Sequence, residues 1–150
     1  IRDDFESRGL GDVYKRQGNH VRIFQETEDL CVLTDEKWLG FLVGQIFSNA
    51  VKYRKGEIPC IRLWSEVGDG PVRLHIRDNG IGIPTEDLPR VFEKSFTGKN
   101  GRTGQASTGI GLYLCKELAE RLGHKIEVFS EEGEYTEVVL SFEKGGHVNF

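Results

Sequence analysis

The sequence predicts an α+β fold, antiparallel strand pairs combined with amphipathic helices. Three observations predict it. Side chains alternate between apolar and polar in short segments such as VRLHIR at 72–77. Those segments come in pairs joined by Gly, Pro, Asp and Glu. Two longer segments, near 35–54 and 112–122, repeat apolar residues at three- and four-residue steps. With 150 residues and 37% hydrophobic content, the chain can bury one core and is too short for two ordinary domains.

Residues 1–17, IRDDFESRGLGDVYKRQ, show neither periodicity and are read as a disordered or non-native leader. The folded unit is expected over 18–142, with 143–150 a frayed tail. Residues 20–25 and 30–33 read as two strands joined by the acidic turn at 26–29. Thr34 is the expected N-cap of the first helix, with Asp35 and Glu36 in its first turn. Leu39, Leu42, Ile46, Ala50 and Tyr53 form its core stripe, and Gln45, Asn49 and Lys52 line one border. A strand over 58–65 turns at 66–71 into the strand ending at Asp78. Pro84 and the acidic residues after it open a short helical turn. Residues 97–108, rich in Gly and basic residues, read as a mobile lid. The second helix stops at Gly123, and strands at 126–130 and 136–142 pair around an acidic turn.

Two stretches carry chemistry. At 77–84, RDNGIGIP, a strand runs directly into a carboxylate, an amide and two glycines. Glycines at alternate positions let the backbone approach a flat ligand, and Asp78 can accept a hydrogen bond from an exocyclic amine. A plain Gly-rich turn fits the same residues. At 107–112, STGIGL, glycines and a hydroxyl at a helix N-terminus present free N–H groups to an anion such as phosphate. Gly104 and Gly109 have the spacing of a P-loop, but Ile110 stands where its Lys is required. For Asn49 two readings stay open: a border amide satisfied by its neighbours, or a carbonyl oxygen offered to Mg²⁺.

Composition narrows the partners. The net charge of −4 comes from interspersed charges, leaving no basic footprint for nucleic acid. Cys31, Cys60 and Cys115 are odd in number and far apart, which fits idle, reduced thiols. No apolar run reaches membrane-spanning length, and a soluble, intracellular chain is expected.

In order, QIFSNAVKY at 45–53, DNGIGIP at 78–84, VFEKSF at 91–96 and STGIGLYLCK at 107–116 resemble the N, G1, F and G2 boxes of the ATP-binding domain of bacterial sensor histidine kinases. The resemblance covers roughly 18–142. It implies the GHKL, or Bergerat, fold: a two-layer α+β sandwich, its mixed and mostly antiparallel sheet carrying helices on one face. It also implies ATP and Mg²⁺ as cofactors, with Asn49 binding the metal, Lys52 meeting phosphate and Tyr53 packing beside the nucleotide. Asp78 would take the adenine amino group, Gly80 and Gly82 would admit the base, and Gly109 and Gly111 would wrap the phosphates. Ile83, Thr108 and Leu112 join the same nucleotide-binding set. Lys99 or Arg102 would reach the γ-phosphate, and Phe92 and Phe96 would anchor the lid, although as aromatics they equally suit plain core positions.

The sequence departs from the family at Gln45, where many kinases have Asn and water-splitting relatives have a Glu base. Gln cannot take a proton. Catalysis would then rest on positioning and charge neutralisation, delivering phosphate to an external His. None of His20, His75, His124 and His147 lies in a phosphoacceptor box, so that His is expected on a dimerisation domain. The implied parent is a membrane-bound homodimer with this domain in the cytoplasm, passing phosphate to a response regulator. TDEKWL at 34–39 and VFEKSFTGKNGR at 91–102 most resemble Gram-positive kinases that sense peptide antibiotics beside an ABC transporter. Two other readings stand beside the kinase: an ATPase driving conformational change, and a nucleotide-binding module without turnover.

Overall fold

Alternation along the strand ending at Asp78 sorts its side chains cleanly. Val72, Leu74 and Ile76 enter the core, while Arg73, His75 and Arg77 take the opposite face. Around this strand, a computed structural model describes residues 3–6, 21–26, 31–94 and 111–143. The elements are β1 (Asp3–Glu6), β2 (Arg22–Gln25), β3 (Cys31–Thr34), α1 (Glu36–Lys52), β4 (Cys60–Glu66), β5 (Val72–Asp78), a 3₁₀ turn (Leu88–Arg90), α2 (Gly111–Arg121), β6 (His124–Glu131) and β7 (Tyr135–Phe142).

Five strands form one sheet in the order β2-β4-β5-β7-β6. Only the β2–β4 pair is parallel, so the sheet is mixed and mostly antiparallel. Both helices pack on the same face. Leu39, Leu42, Val43, Ile46, Phe47 and Ala50 of α1 and Cys115, Leu118 and Ala119 of α2 share a cluster with Ile61, Leu63, Leu74, Ile76, Val138 and Leu140 of the sheet. The expected stripe of α1 is buried except at Tyr53, which caps the helix and is half-buried. Val43 and Phe47 widen it, because a helix packed on both a sheet and a neighbouring helix needs a broader apolar arc. Burial pushes the Cys115 thiol up to about 12, as suits an idle core residue.

Three expectations at the N-terminal side are corrected. The leader carries structure at one point, where Asp3–Glu6 pairs antiparallel with Cys31–Thr34 as a separate two-stranded sheet. The segments flanking the acidic turn do not pair with each other: β2 joins β4, whereas β3 joins β1. Alternation identifies a strand but not its partner. The N-cap of α1 is Asp35, whose Oδ1 accepts the Trp38 N–H at 3.1 Å. Thr34 is buried instead, its hydroxyl 2.8 Å from His124 Nε2.

The sheet face away from the helices is closed by its own side chains. His75 stacks on Trp64 with ring centroids 4.7 Å apart, and its Nδ1–H donates to Glu137 Oε2 at 3.1 Å. Arg77 Nε donates to Glu137 Oε1 at 2.7 Å while its guanidinium lies 4.1 Å from the centre of the Tyr135 ring. Glu137 is therefore buried with two donors on its two oxygens.

Candidate functional site

The central position of β5, between β4 and β7, delivers Asp78 to the sheet's edge beside α1. Its Oδ1 accepts the Gly80 N–H at 2.8 Å, and the Thr136 N–H also donates to the carboxyl. Burial outweighs these bonds and raises its pKa from 3.8 to about 6.

The loop that follows is fastened on both sides. The Ile81 N–H donates to the Tyr53 carbonyl at 2.9 Å, and the Gly133 N–H donates to the Ile81 carbonyl at 2.7 Å. Ile83 N–H donates to Ser130 Oγ at 2.8 Å, and that hydroxyl donates on to the Tyr135 carbonyl at 2.6 Å. Lys55 Nζ, donating to the Gly133 carbonyl at 2.6 Å, closes the ring from α1 to the β6–β7 turn.

This fastening explains the two glycines. A Cβ on Gly80 would stand 2.5 Å from the Tyr53 carbonyl oxygen. One on Gly82 would meet the Glu131 carbonyl, and Gly82 holds φ +72°, a conformation L side chains rarely adopt. Both are required first for backbone to pass close to backbone.

Along α1, Gln45, Asn49 and Lys52 are half-buried on one border. The Asn49 side chain faces the first residue of α2: a Cβ on Gly111 would lie 3.4 Å from Asn49 Oδ1. The helix start therefore lies beside the amide, at a spacing that a small side chain would also fill. Lys52 Nζ sits 5.4 Å from the centre of the Tyr53 ring. Hydrogen bonds link Gly80 to Asp78, Ile81 to the Tyr53 carbonyl and the Tyr53 N–H to the Asn49 carbonyl, while Lys52 and Gly111 lie beside Tyr53 and Asn49 and Leu112 and Ile83 are half-buried at either end. Lys99, Arg102, Thr108, Gly109 and Phe96 lie outside the described residues. Phe92 is half-buried against the core, with Lys116 Nζ 5.2 Å from its ring centre. Among the described residues, no three His, Cys, Asp or Glu side chains gather as a metal cluster.

A carboxyl at a strand end, a fastened glycine loop and an amide facing a helix start thus make up the site. The family model for histidine kinase-, DNA gyrase B-, and HSP90-like ATPases matches residues 34–146. The chain belongs to this ATPase family. The sensor histidine kinase YxdK of Bacillus subtilis is 41% identical over 132 residues, 86% of this chain and 41% of that protein. GraS of Staphylococcus haemolyticus, also a sensor histidine kinase, is 44% identical over 116 residues, 77% of this chain and 33% of its own length. The chain thus spans well under half of the curated relatives it matches. Among solved structures, a mycobacterial sensor histidine kinase, MprB, superposes with a TM-score of 0.76 at 21% identity, covering 94% of this chain and 97% of that one. The catalytic domain of histidine kinase ThkA gives 0.71 at 22% identity, covering 96% and 98%. These two likenesses support the ATPase family's fold.

Sequence reasoning missed the residues that hold the loop. Ser130 and Thr136 read as ordinary strand positions, and nothing local marks a serine whose partner is 47 residues away. Gly133 in the acidic turn was the nearest available signal.

Proposed function

We propose that this ATPase-family domain binds Mg·ATP and presents its γ-phosphate to a histidine on a separate phosphoacceptor domain, which then supplies a response regulator. The observation that supports the reading is the run of neighbouring groups from the Asp78 carboxyl, through the Tyr53 backbone, to the Asn49 amide that faces the start of α2. One end suits an exocyclic amine, and the other suits phosphate at a helix N-terminus. Asp78 reads the adenine, and Tyr53, Ile83 and Leu112 pack around the nucleotide. Lys52 neutralises phosphate charge, assisted by Thr108, Gly109 and Gly111, with Lys99 or Arg102 at the γ-phosphate.

The donor set fits Mg²⁺, which takes one or two protein oxygens and fills its remaining positions with water and phosphate. Asn49 would hold it, and the ion would screen the charge between the phosphates. Gln45 sits one turn before Asn49 and has no proton-accepting carboxylate. The nucleophile therefore arrives from outside, as a neutral imidazole. Because the relatives are sensor kinases of greater length, we place this domain in the cytoplasm as part of a membrane-bound homodimeric sensor. Residues 18–142 are its ATP-binding unit.

Incubation with ATP labelled at the γ-phosphate and the separately expressed phosphoacceptor region of a relative such as YxdK tests this. Acid-labile, alkali-stable label on that region is the expected result. Steady ATP hydrolysis with no labelled protein would replace the kinase reading with an ATPase, and tight ATP binding with neither outcome would leave a binding module.

A further inference from the structure

Two large side chains on α1 are exposed, with no core contact among the described residues. Trp38 is 46% exposed and Phe41 is 45% exposed, yet their rings meet edge to face with centroids 6.3 Å apart. Helix formation does not call for them, since Asp35 supplies the cap and the buried face is complete without them. Other exposed apolar side chains among the described residues are isolated: Ile58 and Val67 lie in connections, and Phe24 and Phe129 lie on opposite edge strands. Single exposed apolar groups need no explanation, but a joined aromatic pair beside a polar site does.

At about 3.6 residues per turn, Trp38, Phe41, Gln45, Ser48, Asn49 and Lys52 fall within an arc of about 100°. They form one continuous stripe beside the core-facing arc. It begins with the aromatic pair and ends at the amide and lysine assigned to the phosphates. Phe41 precedes Asn49 by eight positions, which is about 12 Å along the axis. Lys52 is its charge, Lys37 borders it with Nζ 5.9 Å from the centre of the Trp38 ring, and the stripe carries no acidic residue.

We propose that this stripe is the docking surface for the phosphoacceptor helix, with Trp38 and Phe41 as its apolar anchor. The inference rests on the phosphotransfer reading above. A helix with side chains is about 10–12 Å across. One that lies along α1 while bringing an imidazole to the phosphates at Asn49 covers the two turns that precede it, and so reaches Phe41. Its chemistry follows from the surface: a histidine, an apolar side chain about 12 Å from it, and acidic residues opposite Lys37 and Lys52. Trp38 and Phe41 act in docking alone and touch no nucleotide.

The test measures KM for the phosphoacceptor region of YxdK, using the whole chain and its Trp38→Ser and Phe41→Ser variants, with Phe24→Ser and Phe129→Ser as exposed controls. KM is expected to rise about tenfold or more in the first two, the scale on which interface aromatics act, with ATP affinity unchanged and the controls at the parent value. In a Trp64→Phe background, Trp38 emission should shift to the blue as the region is added. Unchanged KM in both variants, with parent-level labelling, overturns the surface and leaves the kinase standing. Loss of self-association in sedimentation with unchanged KM would assign the pair to a second copy and overturn it too. No labelling even by the parent chain removes both readings.

Discussion

The two ends of the site are built differently. The Asp78 end is made mostly of backbone: the Ile81 and Gly133 N–H groups donate to the Tyr53 and Ile81 carbonyls, the Ile83 N–H donates to the Ser130 hydroxyl, and two glycines fit where a Cβ would collide. The Asn49 end is made of side chains on one helix, and among the described residues no side-chain hydrogen bond fixes Gln45, Asn49 or Lys52. Backbone walls have one shape, so the Asp78 end, proposed to take the base, is formed before a ligand arrives. Side chains on a helix border keep their rotamers, so the Asn49 end, proposed to take the phosphates, can adapt while a phosphoryl group moves.

Four substitutions test that contrast. Gly82→Ala should have the largest effect, because it strains φ and drives a Cβ into the Glu131 carbonyl. A loss of at least about 2 kcal/mol in urea unfolding is expected, with loss of nucleotide binding. Unaltered unfolding would show that the loop yields easily. Asn49→Ala should act on binding alone: ATP affinity in Mg²⁺ should drop on the order of a hundredfold, the factor for a charge-assisted contact near 3 kcal/mol, with unfolding unchanged. Thermal shift by Mg·ATP checks this, and a full shift in the variant would dismiss Asn49 as the metal's ligand.

Asp78→Asn should weaken ATP by about tenfold while leaving inorganic pyrophosphate binding intact. It should also change the pH response. The Asp78 carboxyl takes up a proton on folding between pH 3.8 and about 6, so its contribution to stability is greatest below that window and is lost as pH rises through it. The carboxylate is the better acceptor for an amine, so ATP affinity should rise over the same window. Calorimetric titrations at pH 5 and pH 7 should show this in the parent, and Asp78→Asn should flatten both trends. Ser130→Ala should be smallest, costing about 1 kcal/mol and a few-fold in ATP affinity through the freed Ile83 N–H. If it matches Gly82→Ala, the loop hangs on that single bond.

What was legible in the sequence follows the same division. The β4–β5 and β6–β7 hairpins were readable because alternation and turn residues lie within a few positions of each other. The buried stripe of α1 was readable by its period. The pairing of β2 was not, because its partner β4 lies beyond the whole of α1. Thr34 and Asp35 are equally good caps locally, and only the hydrogen bond between Thr34 and His124, 90 residues apart, separates them. Gly80 and Gly82 were the right residues, but the backbone they clear belongs to Tyr53 and Glu131.

The fastening of the loop by β6 and β7 also sets a clock on synthesis. Ile83 leaves the ribosome 47 residues ahead of Ser130, and at about 5–20 residues per second that interval lasts roughly 2 to 10 seconds. Through it, Asp78 lacks the Thr136 N–H and the loop lacks its outer anchor. The Asp78 loop therefore gains its outer fastening only once β6 and β7 have emerged, and full-strength nucleotide capture follows that point of synthesis.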